Sequence, residues 1–118
     1  MLYFNTAFAA SMVPDGDVQF FTFDVKGIRF LIEGAMERGE FANVANPTHA
    51  NTLRALSSVL GIDLNKARGG RVFLKEEDVC IVAQISGLPR ETREFTDEEV
   101  AAATFTFRVV RMVRISRI

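Results

Sequence analysis

The sequence holds one cysteine, one histidine and almost no net charge, and each shortage closes a class of function. The lone cysteine, Cys80, excludes an intrachain disulfide framework and a cysteine-rich zinc site. It sits in the apolar run "VCIVAQI" and reads as a buried structural thiol. The lone histidine, His49, excludes a multi-histidine metal centre. Lys and Arg number 14 against 15 Asp and Glu, so composition forces no basic footprint for duplex DNA. No apolar run approaches the ~18 residues needed to span a bilayer. The opening "MLYFNTAFAASMVPDG" has no basic segment and does not read as a signal peptide. Internal repeats and low-complexity linkers are missing too. These absences predict a cytoplasmic chain with no membrane partner, no resident metal and no cofactor.

What is present is a core. The 118 residues fit a single domain, 1–118, and 48% of them are hydrophobic. "LYF" predicts a first strand, and "NTAFAASM" a loop or single helical turn. "VPDGD" is a turn by its Pro, Asp and Gly content. "VQFFTF", aromatic and β-branched, predicts a strand. Asp24 is placed to cap a helix whose apolar face is Ile28, Leu31, Ile32, Ala35 and Met36, with Gly39 as its stop. "EFANV" predicts a short strand. Asn46 suits a second N-cap and Pro47 the first helical position. Leu53, Leu56 and Leu60 give that helix its buried stripe, and Gly61 ends it.

Beyond the basic, glycine-containing loop "NKARGG", the stretch "RVFLKEEDVCIVAQIS" predicts a hairpin turning at "KEED". "GLPRETREF" is a charged loop. Thr96 and Glu99 fit a capping box for the short helix "TDEEVAAA". "TFTFRVV" alternates as a strand, and its phenylalanines suit a core. A basic extension follows at about residues 111–118. The element order predicts an α/β domain, a mixed sheet of about five strands flanked by helices.

His49 carries the chemical interest. It lies four, seven and eleven residues before Leu53, Leu56 and Leu60, so it extends the buried stripe. On that reading it is a partly buried histidine bonded to a carbonyl. The other reading uses the helix start itself, whose free N–H groups bind phosphate. Asn46, Thr48, Asn51 and Thr52 cluster there and can add hydrogen bonds. An imidazole beside that phosphate can give its proton to a departing alkoxide.

The basic groups divide in the same way. Lys66, Arg68 and Arg71 flank Gly69 and Gly70, as a solvated loop or as phosphate clamps. Arg90 and Arg93 alternate with Glu91 and Glu94, as surface charge pairs or as ligand contacts. Arg108, Arg111, Arg114 and Arg117 recur every third residue, which matches neither strand parity nor a polar helix face. They suggest an edge or tail.

Four segments, in order, resemble the viral ring nuclease family, the type III anti-CRISPR proteins that degrade cyclic tetra-adenylate. "LYFNTAF" resembles the family's opening strand and loop. "THANTLRALSSVLG" resembles its Gly-His-x-Ser-Thr segment and following helix. "RVFLKEEDVCIVAQIS" resembles a hairpin ending Gln-Ile-Ser. "LPRETREFTDEEV" resembles the late Leu-x-Glu-Gly loop and acidic helix start. The resemblance implies a homodimer with a cyclic oligoadenylate ligand across its axis, and a metal-independent phosphodiesterase. It places His49 on the family's catalytic histidine and Glu91 near its active-site glutamate. It makes Asn5, Ser11, Asn51, Thr52, Gln84 and either Arg68 or Arg71 ligand contacts. Thr48 stands where the family has glycine and Asn51 where it has serine. The late-loop arginine aligns nearest Leu88, with Arg90 as the neighbour that can substitute.

Two other functions fit the same residues. A sponge would hold the cyclic nucleotide without cleaving it, and product chromatography separates it from an enzyme. A regulatory homodimer would bind DNA through the arginine-rich last segment, against which the near-neutral charge argues.

Overall fold

A computed structural model describes residues 1–91 and 93–116. Thr92, Arg117 and Ile118 lie outside the described residues, and with them the last arginine of the third-residue series. The chain forms one α/β domain. Its elements are β1 (Leu2–Asn5), β2 (Gly16–Phe23), α1 (Val25–Glu37), β3 (Phe41–Asn43), α2 (Ala50–Leu60), β4 (Val79–Ser86), α3 (Asp97–Ala102) and β5 (Thr104–Ile115). A short 3₁₀ turn, Ala10–Met12, joins β1 to β2.

The five strands form one mixed sheet in the order β2-β5-β4-β1-β3. β1 runs parallel to both β3 and β4, whereas β5 is antiparallel to β4 and β2. Alternation along these strands builds two cores. Leu2, Phe4, Ile81, Ala83, Phe107 and Val109 face α1 and α2, and meet Ile28, Ile32, Leu56 and Leu60 there. Cys80, Val82, Val110 and Met112 face the other way and meet Met12, Val44, Val72 and Leu74. Burial of Cys80 in this second core pushes its thiol up to about 12.

Asp24 caps α1 as its sequence context predicts, accepting from Gly27 N at 2.8 Å. The Thr96–Glu99 capping box forms at α3. Three expectations are corrected. The segment before β4 is not a strand, so the predicted hairpin has only its second arm. Both edges of β4 are already taken, by β1 and β5. The segment instead crosses the second face and drives Val72 and Leu74 into the core, where Leu74 N donates to Met12 O at 2.8 Å.

The second helix begins at Ala50 with His49 at its N-cap, not at Pro47. Asn46 closes a separate turn, in which its Oδ1 accepts from Thr48 N and from the Thr48 hydroxyl. Finally, the arginine-bearing last segment is not an edge or tail: as far as Ile115 it continues β5, an inner strand with β2 on one side and β4 on the other.

Candidate active site

Parallel strands leave a crevice beyond their carboxyl ends, because the chain must turn away there toward its next helix. Here that crevice lies past Asn5 of β1. The β1–β4 ladder stops at the pair Asn5–Val82, while β4 runs on to Ser86. β1 leaves through Thr6 and Ala7, so the margin of β4 beyond Val82 borders a cleft of about 550 Å³. The start of α2 supplies His49 and Thr52 to its wall, β4 supplies Gln84, and the loop after β4 supplies Leu88, Pro89 and Glu91.

His49 is exposed, not part of the buried stripe. As N-cap it takes a non-helical backbone, φ −87° and ψ 53°, which turns it off the helical face that Leu53 and Leu56 continue inward. Its backbone is tied on both sides: His49 N donates to Asn46 O at 3.1 Å, and its carbonyl accepts from Leu53 N at 3.0 Å. The imidazole is therefore carried on a fixed backbone at the lip of the cleft.

The Asn51 and Thr52 N–H groups at the start of α2 are not free for phosphate. Glu91 Oε1 accepts from Asn51 N at 2.5 Å, and Oε2 accepts from Thr52 N at 3.1 Å and from the Thr52 hydroxyl at 2.5 Å. A carboxylate at a helix N-terminus satisfies orphan donors and complements the helix dipole. Asn51 points elsewhere. Its Nδ2 donates to Arg93 O at 2.8 Å, and it lines a different cavity of about 630 Å³ between α2 and α3. That larger cavity is apolar for most of its wall and holds no histidine.

Asn5 and Ser11 line a depression next to the cleft, together with Arg71, Phe8 and Phe73. Asn5 holds the turn out of β1, its Oδ1 accepting from Thr6 N at 2.8 Å. Arg68 lines neither the cleft nor this depression; its amide donates to Asn43 O at 3.0 Å. Gly69 allows the basic loop to pass over the His49 turn. It has φ +68°, and an added Cβ would lie 3.0 Å from Pro47 Cδ.

Charge pairing separates the arginines. Arg93 is forked onto Glu99, at 2.8 and 2.7 Å, and holds that carboxyl down at about 2. Arg54 donates to Glu94 at 2.6 Å. Among the described residues, Arg68, Arg71 and Arg90 have no carboxylate partner. Arg90 is exposed between Pro89 and Glu91, both of which line the cleft.

Thr6 and Phe95 also line the cleft and were not picked out by sequence reasoning. Thr6 could have been found, since it directly follows the end of a parallel strand. Phe95 could not, because its place as the wall between the two cavities comes from the folded loop alone. Among the described residues, no three His, Cys, Asp or Glu side chains gather as ligands for one metal ion. No described helix is long and apolar enough to cross a membrane.

No protein-family model matches the chain, and no curated protein matches its sequence. Its fold is similar to that of B116 of Sulfolobus turreted icosahedral virus, with a TM-score of 0.77 over 93% of this chain and 97% of that chain. Identity across the match is 19%, so the likeness is one of fold. The chain thus shares its architecture, over nearly the full length of both, with a viral protein.

Proposed function

We propose that this protein is a metal-independent phosphodiesterase of the ring nuclease type, which cleaves cyclic tetra-adenylate to linear diadenylates and so silences type III CRISPR signalling in a host cytoplasm. The observation that carries the reading is the placement of His49. It is exposed at the lip of a cleft at the carboxyl end of a parallel strand pair, and Arg90, between two residues that line that cleft, has no carboxylate partner among the described residues.

The chemistry needs no external nucleophile. A ribose 2′-oxygen bonds to the adjacent phosphorus, the P–O5′ bond breaks, and the 2′ proton passes to solvent. His49 gives its proton to the departing 5′-oxygen, leaving a 2′,3′-cyclic phosphate. Arg68, Arg71 and Arg90 offset the charge that grows on the phosphorane oxygens. Gln84, Thr52, Asn5 and Ser11 offer hydrogen bonds around the ring. Glu91 acts through α2, as a positioning residue that fixes Thr52 and the helix start beneath His49.

The reading includes a homodimer with the ligand across its axis. Phe8 and Phe73, exposed at 41% and 63% beside the Asn5–Ser11 depression, are apolar surface that a second copy would cover. A two-fold dimer presents each cleft twice to a two-fold symmetric ring.

One observation favours a non-cleaving sponge instead. Two of the α2 N–H groups that would stabilise transition-state charge, those of Asn51 and Thr52, are held by Glu91. Incubation with a panel of cyclic oligonucleotides in EDTA, followed by product chromatography, decides between them. Linear diadenylate supports the enzyme, retained intact ring supports the sponge, and no interaction with any ring removes both.

A further inference from the structure

The arginines of the last strand part company in the fold. Arg111 donates to Glu77 at 2.6 Å and Arg114 pairs with Asp17 at 3.0 Å. Arg108 has no carboxylate partner among the described residues. Its neighbours across the ladders are Val82 on β4 and Thr22 on β2, and neither is anionic. β5 is an inner strand of the sheet, yet Arg108 is exposed. No described residue covers it there.

Strand alternation fixes which face this is. Val110 and Met112, two and four residues further along, belong to the core on the side away from α1 and α2. Arg108 and Thr106 share that side. Gln84 does as well, since it alternates with Cys80 and Val82 of the same core and pairs with Thr106 across the ladder. From Gln84 to Arg108 is one diagonal step, about 7–8 Å, within reach of a long side chain. Gln84 also borders the His49 cleft. The margin of β4 that β1 leaves free joins the cleft to this uncovered face.

We infer that the sheet face bearing Gln84, Thr106 and Arg108 continues the His49 cleft, and that Arg108 binds a phosphodiester of the ligand. This rests on the phosphodiesterase reading above and extends it. The ligand then spans from the start of α2 to β5, so it carries a second phosphodiester besides the one beside His49. A guanidinium without a protein carboxylate presents its fork to such a group, and two N–H donors match two phosphate oxygens.

The test measures cyclic tetra-adenylate affinity across a salt series for wild type, Arg108→Ala, Arg108→Lys and Arg111→Ala. Arg108→Ala is expected to bind about 10- to 100-fold more weakly, the weight of a charge-assisted hydrogen bond. Its log–log salt slope should fall by ~0.7, the share of one single-strand phosphate contact. Arg108→Lys should keep the slope and recover part of the affinity. Arg111→Ala, which removes a paired arginine, should change neither. If wild type binds the ring and Arg108→Ala binds it equally well with the same slope, the assignment is overturned while the phosphodiesterase reading stands. If Arg108→Ala changes the association state at unaltered affinity per protomer, the face is an interface between copies and the assignment is again overturned. If wild type binds no cyclic oligoadenylate, the phosphodiesterase reading fails and takes this assignment with it.

Discussion

The Oε2 atom of Glu91 accepts from both the hydroxyl and the amide of Thr52, at 2.5 and 3.1 Å, across 39 positions of sequence. This contact ties the late loop to the start of α2 and sets the floor under His49. Glu91→Ala leaves the amides of Asn51 and Thr52 without their acceptor. Loss of an N-terminal cap costs ~0.5–2 kcal/mol. The urea midpoint should drop accordingly with an unchanged m value, and Glu91→Gln should recover part of the loss. A midpoint equal to wild type would show that solvent caps the helix as well as Glu91 does.

His49→Ala should separate chemistry from folding. The side chain is exposed, so stability should stay within ~0.5 kcal/mol of wild type. Binding of cyclic tetra-adenylate should persist, because the arginines remain. Single-turnover cleavage should fall by roughly 10²–10⁴-fold, the usual contribution of a positioned acid. Undiminished cleavage by the well-folded variant would remove His49 from the chemistry.

Arg68, Arg71 and Arg90 should each contribute to affinity in a salt-dependent way. Each phosphate contact adds ~0.7 to the slope of log affinity against log salt on a flexible strand. Alanine at any one of them should lower both affinity and slope. Arg93→Ala should leave both unchanged, because Arg93 is already committed to Glu99. Equal binding by all three single variants across the salt series would refute the clamp assignment.

The Arg93–Glu99 fork predicts an acid limb. Hydrogen bonds from Arg93, then from the Thr96 amide, lower the Glu99 carboxyl from 4.5 to about 2. A depressed carboxyl adds stability above its unfolded value and loses it as pH falls toward its folded value. Wild type should therefore exceed Glu99→Gln in stability at neutral pH, and the difference should shrink between about 4.5 and about 2. Unfolding midpoints across that range, with an NMR titration of Glu99, check it. A Glu99 midpoint at the ordinary carboxylate value would rule out the fork in solution.

Cys80 predicts the alkaline limb. Burial raises its thiol from 9.0 to about 12. Above 9.0 the unfolded chain loses this proton first, so the unfolded state binds fewer protons and stability falls as pH rises. Cys80→Ala should flatten that part of the slope. The native protein should resist a thiol reagent at mildly alkaline pH and react once denatured. Rapid reaction of the native protein would contradict the buried placement.

Much of the architecture was legible because local signals and hydrophobic period agreed. Asp24, Thr96 with Glu99, and Gly61 each mark a helix boundary through contacts within a few residues. Phe105 and Phe107 fall in or against the core, as their alternation implies. The missing hairpin arm was not legible. Val72 and Leu74 alternate like a strand, and only the occupancy of both β4 edges sends them across a sheet face instead.

For the site, sequence alone picked out the residue types: a single imidazole near a helix start, basic loops around glycines, and a glutamine closing a strand. Tertiary structure decided which of these meet. His49 satisfies the buried spacing of its helix but not the buried face, because the turn at Asn46 delays the helix to Ala50 and leaves His49 as its cap. Glu91 and Thr52 meet only because β4 returns the late loop to the start of α2. The arginines look alike in sequence. Pairing with Glu99, Glu77 and Asp17 holds Arg93, Arg111 and Arg114, whereas Arg68, Arg71, Arg90 and Arg108 have no carboxylate partner among the described residues. Sequence spacing sets the period of a side chain, but charge compensation is a matter of distance in space, and that distance exists only in the fold.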